Sequence, residues 1–546
     1  MSLSDSLIGR FFRGIWSAVV FFYRTLIVLT LVVFVAALWF GFSQRNAPLT
    51  LEDNLALALN PEGDIVESFD ENPSEQLWRE FSGEGPTQVR LRDLVTALTR
   101  ASADPRITLA VVKLDRTGSA GIPQMEELAA AMQTFRKAGK KIYAWGPYFE
   151  QTHYLAVAEA DRISLDPMGV VLLEGFSAYQ NYFKDALDKL GVNIHIFRVG
   201  EYKAAVEPFE RNDMSPAAKE ANREWLGDLW TSYTESVAFS RQQPADSVDR
   251  FVTTMPEAFQ QAGGDAAKVA LEAKWVDALE TLEQFRAEIG KTVGMDDDSG
   301  SFRQVHYSEY LAVTDRERAE SEMPHVALVA VQGDIVDGES EPGYAGGDTI
   351  SELLHEARDD DNVKAVVLRV NSPGGSVFAS EQIRREVQAL RAAGKPVVAS
   401  MSTLAASGGY WVSMDADRIY AHETTITGSI GIFGLLPTLE KPLEKMGIHT
   451  DGVGTTPLAG ALRFDRPLSP AVSSLIQSQV EHGYRQFIDG VAKGRNLAPD
   501  KVDALARGRV WSGMDAKALG LVDAFGGLTM AADEAARLAK LDAGYR

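Results

Sequence analysis

The chain has 546 residues, too many for one ordinary domain, so two or more domains are expected. Its formal net charge of −22 argues against nucleic acid as a main partner, because phosphate binding requires clustered lysine and arginine. The sequence contains no cysteine, which excludes disulfides, thiolate catalysis and cysteine-ligated metal sites, and suits an oxidising compartment.

A membrane anchor is predicted near the amino terminus. Residues 25–42, "TLIVLTLVVFVAALWFGF", form an uncharged stretch of 18 residues, about the length that crosses a bilayer. Arg10, Arg13 and Arg24 precede it, so the positive-inside rule places residues 1–24 in the cytoplasm and the rest of the chain outside. No small-x-small cleavage site follows in "FSQRNAPL", which favours a retained signal anchor over a cleaved signal peptide. A buried core helix is disfavoured by so uniform a stretch between arginines.

The rest of the chain is a duplication. "AVVKLD" begins at Ala110 and "AVVLRV" at Ala365, while "RKAGKKIYAW" begins at Arg136 and "RAAGKPVVAS" at Arg391, with the same offset of 255 residues. Further segment pairs keep nearly this offset, which chance does not do. The expected units are an N-terminal repeat, a connecting linker, and a C-terminal repeat with a helical tail, over residues 50–290, 291–324 and 325–546.

Each repeat is predicted to alternate strands and helices. In the second repeat, Ile383, Val387 and Leu390 recur at helical spacing, and Gly394 is expected to end that helix. Such alternation predicts an α/β architecture with largely parallel strands. The predicted buried strands are short runs rich in β-branched residues, at 326–331, 365–370, 396–401 and 418–421.

Two glycine-containing loops in the second repeat are candidates for catalysis. After the predicted strand that ends at Val370, "NSPGGSV" places Gly374 and Gly375 in a tight turn whose backbone N–H groups are uncovered. Such groups can form an oxyanion hole, although an isolated Pro-Gly-Gly is more often a plain turn.

The second loop, "STLAASGGYWVSM", carries Ser407 at the predicted start of a helix. There, backbone N–H groups and the helix dipole stabilise a developing negative charge, and Gly408 can donate a second hydrogen bond to an oxyanion. The alternative is that Ser407 simply caps the helix.

A nucleophilic serine also needs a base. His422 and His449, the nearest downstream histidines, have no evident carboxylate partner, and both suit an ordinary surface position. A Ser–His–Asp triad is therefore not supported, and the remaining option is a lysine made neutral by burial.

The motifs "NSPGGSV", "STLAASGGYW", "TGSIGIFG" and "GRVWSGMDAKALGLVDAFGGL" together resemble the long, duplicated form of the signal peptide peptidase A family of membrane-anchored Ser–Lys proteases. The resemblance covers nearly the whole chain. It implies two tandem crotonase- or Clp-protease-like domains built from ββα units, preceded by one transmembrane helix. It also implies a homotetramer at the bacterial inner membrane with its catalytic domains on the periplasmic side, peptide substrates such as cleaved signal peptides, and no cofactor or metal.

This family divides its catalytic dyad between the two repeats. The resemblance implies that Lys203, in "VGEYKAAVEPFERNDMS", is the general base and acid, that Ser407 is the nucleophile, and that Ser429 of "TGSIG" orients the lysine. The oxyanion donors implied in the same way are Gly374 and Gly408, and the expected substrate contacts are Gly375 and Ser376.

The repeat offset supports this division of the dyad. It places Gln151 opposite Ser407, and a position near Ala459 opposite Lys203. Each repeat has then kept one half of the dyad and lost the other, so the two repeats must dock face to face.

Two other functions are considered. A catalytically inactive scaffold that binds peptides is disfavoured by the joint presence of Ser407, Lys203 and Ser429. A crotonase-type acyl-CoA enzyme, which also uses a glycine oxyanion hole, is disfavoured by the predicted external location and by the coincidence of Ser407 with Lys203. The sequence therefore favours a Ser–Lys endopeptidase that digests peptides at the outer face of the cytoplasmic membrane.

Overall fold

The computed structural model describes residues 14–17, 19–33, 50–70, 82, 87–318 and 324–542. Among these residues, one helix is long and apolar enough to cross a membrane, Gly14–Val33, which is exposed and has a mean hydropathy of 2.0. It begins before the predicted anchor at 25–42, and residues 34–42 of that prediction lie outside the described residues.

The strands of the N-terminal half are β1 (Leu55–Leu59), β2 (Asp64–Val66), β3 (Gln88–Arg90), β4 (Ile107–Val112), β5 (Lys141–Glu150), β6 (Arg162–Leu172), β7 (Asn193–Arg198), β8 (Ala278–Leu279), β9 (Met295–Asp296), β10 (Ser301–Phe302) and β11 (Gln304–His306). Six of them form one parallel sheet in the order β11-β1-β4-β5-β6-β8. All five residues of β1 are buried, as expected for a parallel strand that is covered on both faces.

The helices of this half cover both faces of the sheet. Successive strand residues point to opposite faces, so Leu57 joins one core while Ala56 joins another with helix Leu282–Val293. In the segment predicted as the linker, β11 pairs with β1, and helix Tyr307–Arg318 also packs against this half. The other helices are Leu91–Ala103, Ile122–Lys137, Gln151–Val157, Lys184–Leu190, a 3₁₀ turn at Ala204–Val206, Glu207–Glu210, Pro216–Ser240, Ser247–Gln261 and Ala266–Glu272.

The strands of the C-terminal half are β12 (His325–Gln332), β13 (Asp334–Val336), β14 (Tyr344–Gly346), β15 (Val363–Ser372), β16 (Val397–Ala406), β17 (Arg418–Ala421), β18 (Ile426–Gly428), β19 (Phe433–Thr438), β20 (Val510–Ser512) and β21 (Ala524–Phe525). A parallel sheet runs in the order β12-β15-β16-β17-β21. The end of β16 also pairs in parallel with β18, which pairs antiparallel with β20. The four predicted strands of this repeat correspond to β12, β15, β16 and β17.

One helix of this half was predicted residue by residue. Helix Val377–Ala392 buries Ile383, Val387 and Leu390, and Gly394 follows it with a left-handed φ of 82°, so this prediction is confirmed. The other helices are Gly347–Asp359, Gly408–Ser413, Glu440–Lys445, Pro470–Arg495, Pro499–Leu505, Gly513–Leu519 and Leu528–Leu538.

Several contacts join the two halves. Strand β7 pairs antiparallel with β19, helix Pro216–Ser240 packs against β20, and Arg369 forms buried ion pairs with Glu67 and Glu127. The predicted α/β class, with tandem repeats that are each built around a parallel sheet, is confirmed.

Candidate active site

Ser407 lies at a sharp corner between a strand and a helix. Strand β16 ends at Ala406, helix Gly408–Ser413 follows, and Ser407 itself has φ 54° and ψ −114°, a conformation that strains any residue with a side chain. The Ser407 N–H donates to the Gly428 carbonyl at 2.9 Å, and its carbonyl accepts from the Trp411 N–H at 2.9 Å. Its side chain makes no capping hydrogen bond, so the alternative of a simple helix cap is wrong.

Lys203 reaches this corner from the other repeat. It follows β7, whose pairing with β19 brings the first repeat onto the second. Although 204 residues separate them in the chain, Lys203 Nζ lies 3.0 Å from Ser407 Oγ. Nζ also lies 3.0 Å from Ser429 Oγ and donates to the Ser429 carbonyl at 2.9 Å. The structure therefore brings together the three side chains that the sequence assigned to catalysis.

Burial changes the chemistry of the lysine. Lys203 is only 3% exposed, and this desolvation lowers the pKa of its ammonium group to about 7. At neutral pH, a substantial fraction of the amine is consequently uncharged and has a free electron pair. Ser429 faces the amine with two oxygens and has a left-handed φ of 50°, which keeps both of them close to Nζ.

Two glycines that the sequence reasoning missed make room for the lysine. Gly508 has φ 82°, and a Cβ there would lie 2.6 Å from Lys203 Cα. A Cβ at Gly431 would lie 3.3 Å from Lys203 Cδ and 2.9 Å from Gly508 Cα. Gly431 is the second glycine of the motif "TGSIGIFG", so that motif could have indicated this residue. Gly508 has no comparable sequence motif, because only the fold brings it to Lys203.

The glycine loop after β15 packs directly against the serine. A Cβ at Gly374 would lie 2.4 Å from the Gly408 nitrogen and 2.9 Å from Ser407 Cβ, so only glycine fits there. The Gly374 N–H donates to Ser372 Oγ at 3.1 Å, and an oxyanion would have to replace that bond. The two predicted oxyanion glycines are therefore neighbours beside Ser407.

The two predicted substrate contacts differ in their surroundings. Gly375 is exposed, has φ 152°, and forms an isolated bridge with Ile335, where a Cβ would lie 2.1 Å from the Ile335 carbonyl oxygen. The Ser376 hydroxyl accepts from the Ala379 N–H at 3.2 Å and donates to Asp337. The Ser376 side chain therefore caps helix Val377–Ala392.

The histidine His422 is not the surface residue that was expected. Its side chain is only 12% exposed, and its ring nitrogens lie 2.9 Å from a Glu126 carboxylate oxygen and 3.3 Å from one of Glu127. The expectation that it lacks a carboxylate partner is wrong, because both glutamates come from the first repeat and cannot be found by looking near His422 in the sequence. Its ring contacts this pair and not Ser407.

The first repeat has a corresponding junction of strand and helix, without a nucleophile and without the left-handed backbone of Ser407. Gln151 directly follows β5 and begins helix Gln151–Val157. Its Oε1 accepts from the N–H groups of Glu174 and Gly175 at 2.9 and 2.8 Å. The glutamine side chain is thus used to hold the neighbouring loop.

A mainly apolar groove of about 850 Å³ is lined in part by residues that follow two loops of the site. Val377, which follows the glycine loop, and Ile432, which follows the Ser429 turn, line one part of it. The rest of its lining comes from helix Pro470–Arg495 and includes Leu475, Val480 and Gly483. Such a groove can accept an apolar side chain.

The comparisons with known proteins identify the family of this chain. The model of peptidase family S49 matches residues 134–296 and 389–542. Protease 4 of Salmonella typhi is 40% identical over 543 residues, 98% of this chain and 87% of that protein. The chloroplastic serine protease SPPA of Arabidopsis thaliana is 29% identical over 467 residues, 84% of this chain and 66% of that protein.

Among solved structures, a ClpP1 mutant from Listeria monocytogenes has a TM-score of 0.26 and 13% identity, and covers 38% of this chain and 94% of its own. The resemblance to the signal peptide peptidase A family is confirmed by the family match and by the Salmonella relative. Because the family model matches once in each repeat, this chain belongs to peptidase family S49 and is a serine protease.

Proposed function

We propose that this serine protease is a membrane-anchored endopeptidase whose dyad is Ser407 and Lys203. The observation that carries the proposal is the buried lysine amine 3.0 Å from the hydroxyl of a serine at a strained corner. A buried amine next to a hydroxyl is the arrangement that a Ser–Lys dyad requires, because the amine must be neutral to accept a proton.

The proposed reaction has two halves. Neutral Lys203 takes the proton from Ser407 Oγ while that oxygen bonds to the carbonyl carbon of a peptide, and the N–H groups of Gly408 and Gly374 hold the oxyanion. Lys203 then gives the proton to the leaving amine as the C–N bond breaks. A water molecule, deprotonated by the same amine, attacks the acyl ester and releases Ser407. Ser429 holds Nζ in place throughout.

The proposed substrates are cleaved signal peptides and other apolar peptides. The groove that Val377 and Ile432 line together with helix Pro470–Arg495 supports this, because its lining is mainly apolar and signal peptides are largely apolar. Helix Gly14–Val33 supports a position at the membrane, where such peptides remain after secretion. With its amino terminus in the cytoplasm, the catalytic part would lie on the periplasmic side of the bacterial inner membrane.

The proposed assembly is a homotetramer, as the family resemblance implies. Helices Lys184–Leu190 and Glu440–Lys445 bury none of their residues within the chain, and the nearby Met446, Ile448 and Phe464 are exposed. Exposed apolar side chains next to two uncovered helices support an interface with another copy.

A mechanism-based fluorophosphonate reagent tests the proposed function. We expect it to modify Ser407 once per chain, because only an activated hydroxyl reacts quickly with such a reagent. Mass spectrometry of the labelled peptide measures this. Ser407→Ala should remove the label, and Ser413→Ala, in the helix that follows, should keep it. No label on the folded protein would favour the peptide-binding scaffold instead.

The rate should depend on pH through the lysine. Burial lowers the pKa of Lys203 to about 7, and only the neutral amine can accept the serine proton. Below pH 7 the value of kcat/KM should fall about tenfold per pH unit, and above pH 8 it should be nearly constant. Initial rates on a peptide ester between pH 5 and 9 measure this, with preincubation controls for stability. A rate that falls as the pH rises from 6 to 8 would contradict the assignment.

A further inference from the structure

A row of carboxylates on the first repeat contacts the segment behind the dyad. Glu220, Glu224 and Asp228 follow one another at four-residue intervals, which places them on one face of helix Pro216–Ser240. All three bind residues of one short segment, 509–512. Helix Pro216–Ser240 of the first repeat therefore holds residues 509–512 of the second repeat, and we call this arrangement the clamp.

The partners of this row are specific. Glu220 accepts from Arg509 Nη1 at 2.9 Å, and Glu224 accepts from Arg509 Nη2. Asp228 accepts from Ser512 Oγ at 2.6 Å. The Arg509 side chain is only 12% exposed, whereas the side chains of Glu220 and Glu224 are 61% and 42% exposed, so the buried guanidinium meets carboxylates at the surface.

The clamped segment directly supports the lysine-orienting serine. Residues 510–512 are strand β20, which pairs with β18, and β18 leads into Ser429. The Ser429 N–H donates to the Arg509 carbonyl at 2.6 Å. Gly508, the residue before Arg509, packs against Lys203.

The arginine side chain also touches the lysine segment. Its guanidinium lies 4.7 Å from the centre of the Tyr202 ring and 4.5 Å from that of Trp511. Tyr202 precedes Lys203, and its hydroxyl lies 3.4 Å from Glu220. The Arg509 side chain thus contacts the lysine segment, while its backbone carbonyl holds the Ser429 turn, and these two segments meet at Lys203 Nζ.

We propose that Arg509 is a positioning residue for the Ser–Lys dyad, an inference that rests on the proposed function. It fixes the Tyr202–Lys203 segment against the Ser429 turn, and the carboxylates of helix Pro216–Ser240 hold it there. This clamp keeps the amine within reach of Ser407 Oγ, and its loss should slow the reaction because a displacement of about 1 Å at a reacting group can cost on the order of 100-fold in rate.

Arg507 provides a matched control. It lies two residues earlier, pairs with Asp503 at 3.2 Å and with Glu201 at 3.4 Å, and its side chain is 46% exposed. Arg507→Ala removes the same charge from the same loop but leaves the clamp intact.

The test compares full-length Arg509→Ala, Arg509→Lys and Arg507→Ala proteins on one peptide ester. For Arg509→Ala we expect kcat to fall by about 30-fold or more with little change in KM, because the amine is misplaced while the substrate surface is unaltered. The acid limb of the pH profile should also move above pH 7, since a loosened segment lets water reach Nζ. Arg509→Lys should be intermediate, because one ammonium group cannot span both glutamates. Arg507→Ala should match the unaltered chain.

An unchanged kcat and acid limb in folded Arg509→Ala would overturn the inference, and so would an equal loss in Arg507→Ala. If Arg509→Ala does not fold, Glu224→Gln decides in its place: a displaced acid limb supports the clamp and an unchanged one overturns it. Activity that survives Lys203→Met would instead refute the dyad, so the two failures are distinguishable.

Discussion

Lys203→Met protein is expected to hydrolyse peptides on the order of 1000-fold more slowly than the unaltered chain. Methionine has a similar length and volume but carries no amine, so the change removes the base that lies 3.0 Å from Ser407 Oγ. Steady-state hydrolysis of a peptide ester at pH 8 measures the loss. Thermal unfolding should show no loss of stability, because a buried amine is costly to desolvate and a thioether is not.

The controls for this prediction are variants of the proposed nucleophile and of a lysine outside the site. Ser407→Ala should be equally inactive, and the double variant no worse, because residues that act as one unit are not additive. Lys189→Met, which alters a lysine outside the site, should keep full activity. A Lys203→Met protein with more than about a tenth of the normal rate would show that another base serves Ser407.

Arg369→Met is expected to destabilise the protein by about 3–5 kcal/mol, the largest stability effect that we anticipate. Arg369 is 1% exposed and contacts Glu67 at 2.9 Å and Glu127 at 2.6 Å, both from the other repeat. Its removal leaves the buried Glu67 carboxylate without its cation and Glu127 with only His422 as a partner cation, and it weakens the docking of the repeats. Urea-induced unfolding, followed by tryptophan fluorescence, measures the change.

A second arginine offers the comparison. Arg358 is 22% exposed and pairs with Glu386 at 2.7 Å within one repeat, so Arg358→Met should cost about 1 kcal/mol or less. A triple variant with Arg369→Met, Glu67→Leu and Glu127→Leu should recover much of the loss, because the arginine and its two carboxylates are then removed together, while His422 keeps Glu126 as its partner. An Arg369→Met protein as stable as the Arg358→Met protein would refute the prediction.

The charge states within this cluster explain why it does not supply the catalytic base. Burial alone would raise the pKa of Glu127, but Arg369 and His422 hold it below its usual range. Burial alone would lower the pKa of His422, but its bonds to Glu126 and Glu127 raise it to about 9. At neutral pH His422 is therefore a structural cation with no free electron pair.

The sequence was most informative about features that short local segments determine. The duplication and the apolar strands follow from the composition of short segments, and the motifs around Ser407 and Ser429 were enough to reveal the family. Lys203 has no such local pattern, and only the resemblance distinguished it from the other lysines. Its depressed pKa arises from burial between the two repeats, which a single sequence does not display.

Contacts between distant segments were not predictable. Arg509 and Glu220 are 289 residues apart, and nothing in either segment indicates the other.

The helix near the amino terminus begins earlier than predicted, for a different reason. The prediction of 25–42 began after Arg24 because it followed hydropathy, whereas the backbone hydrogen bonds of helix Gly14–Val33 continue through that arginine.

Because the site is divided between the repeats, it can be completed only late in the synthesis of the chain. On the proposed dyad, Lys203 is made early, but Ser407 follows 204 residues later, and β20 is completed only at Ser512. At about 5–20 residues per second, the ribosome adds the residues between Lys203 and Ser512 over tens of seconds. A growing chain therefore has no complete catalytic site while most of it is still being made. On this proposal, the chain cannot cleave itself or another protein through this site before Ser512 has been added.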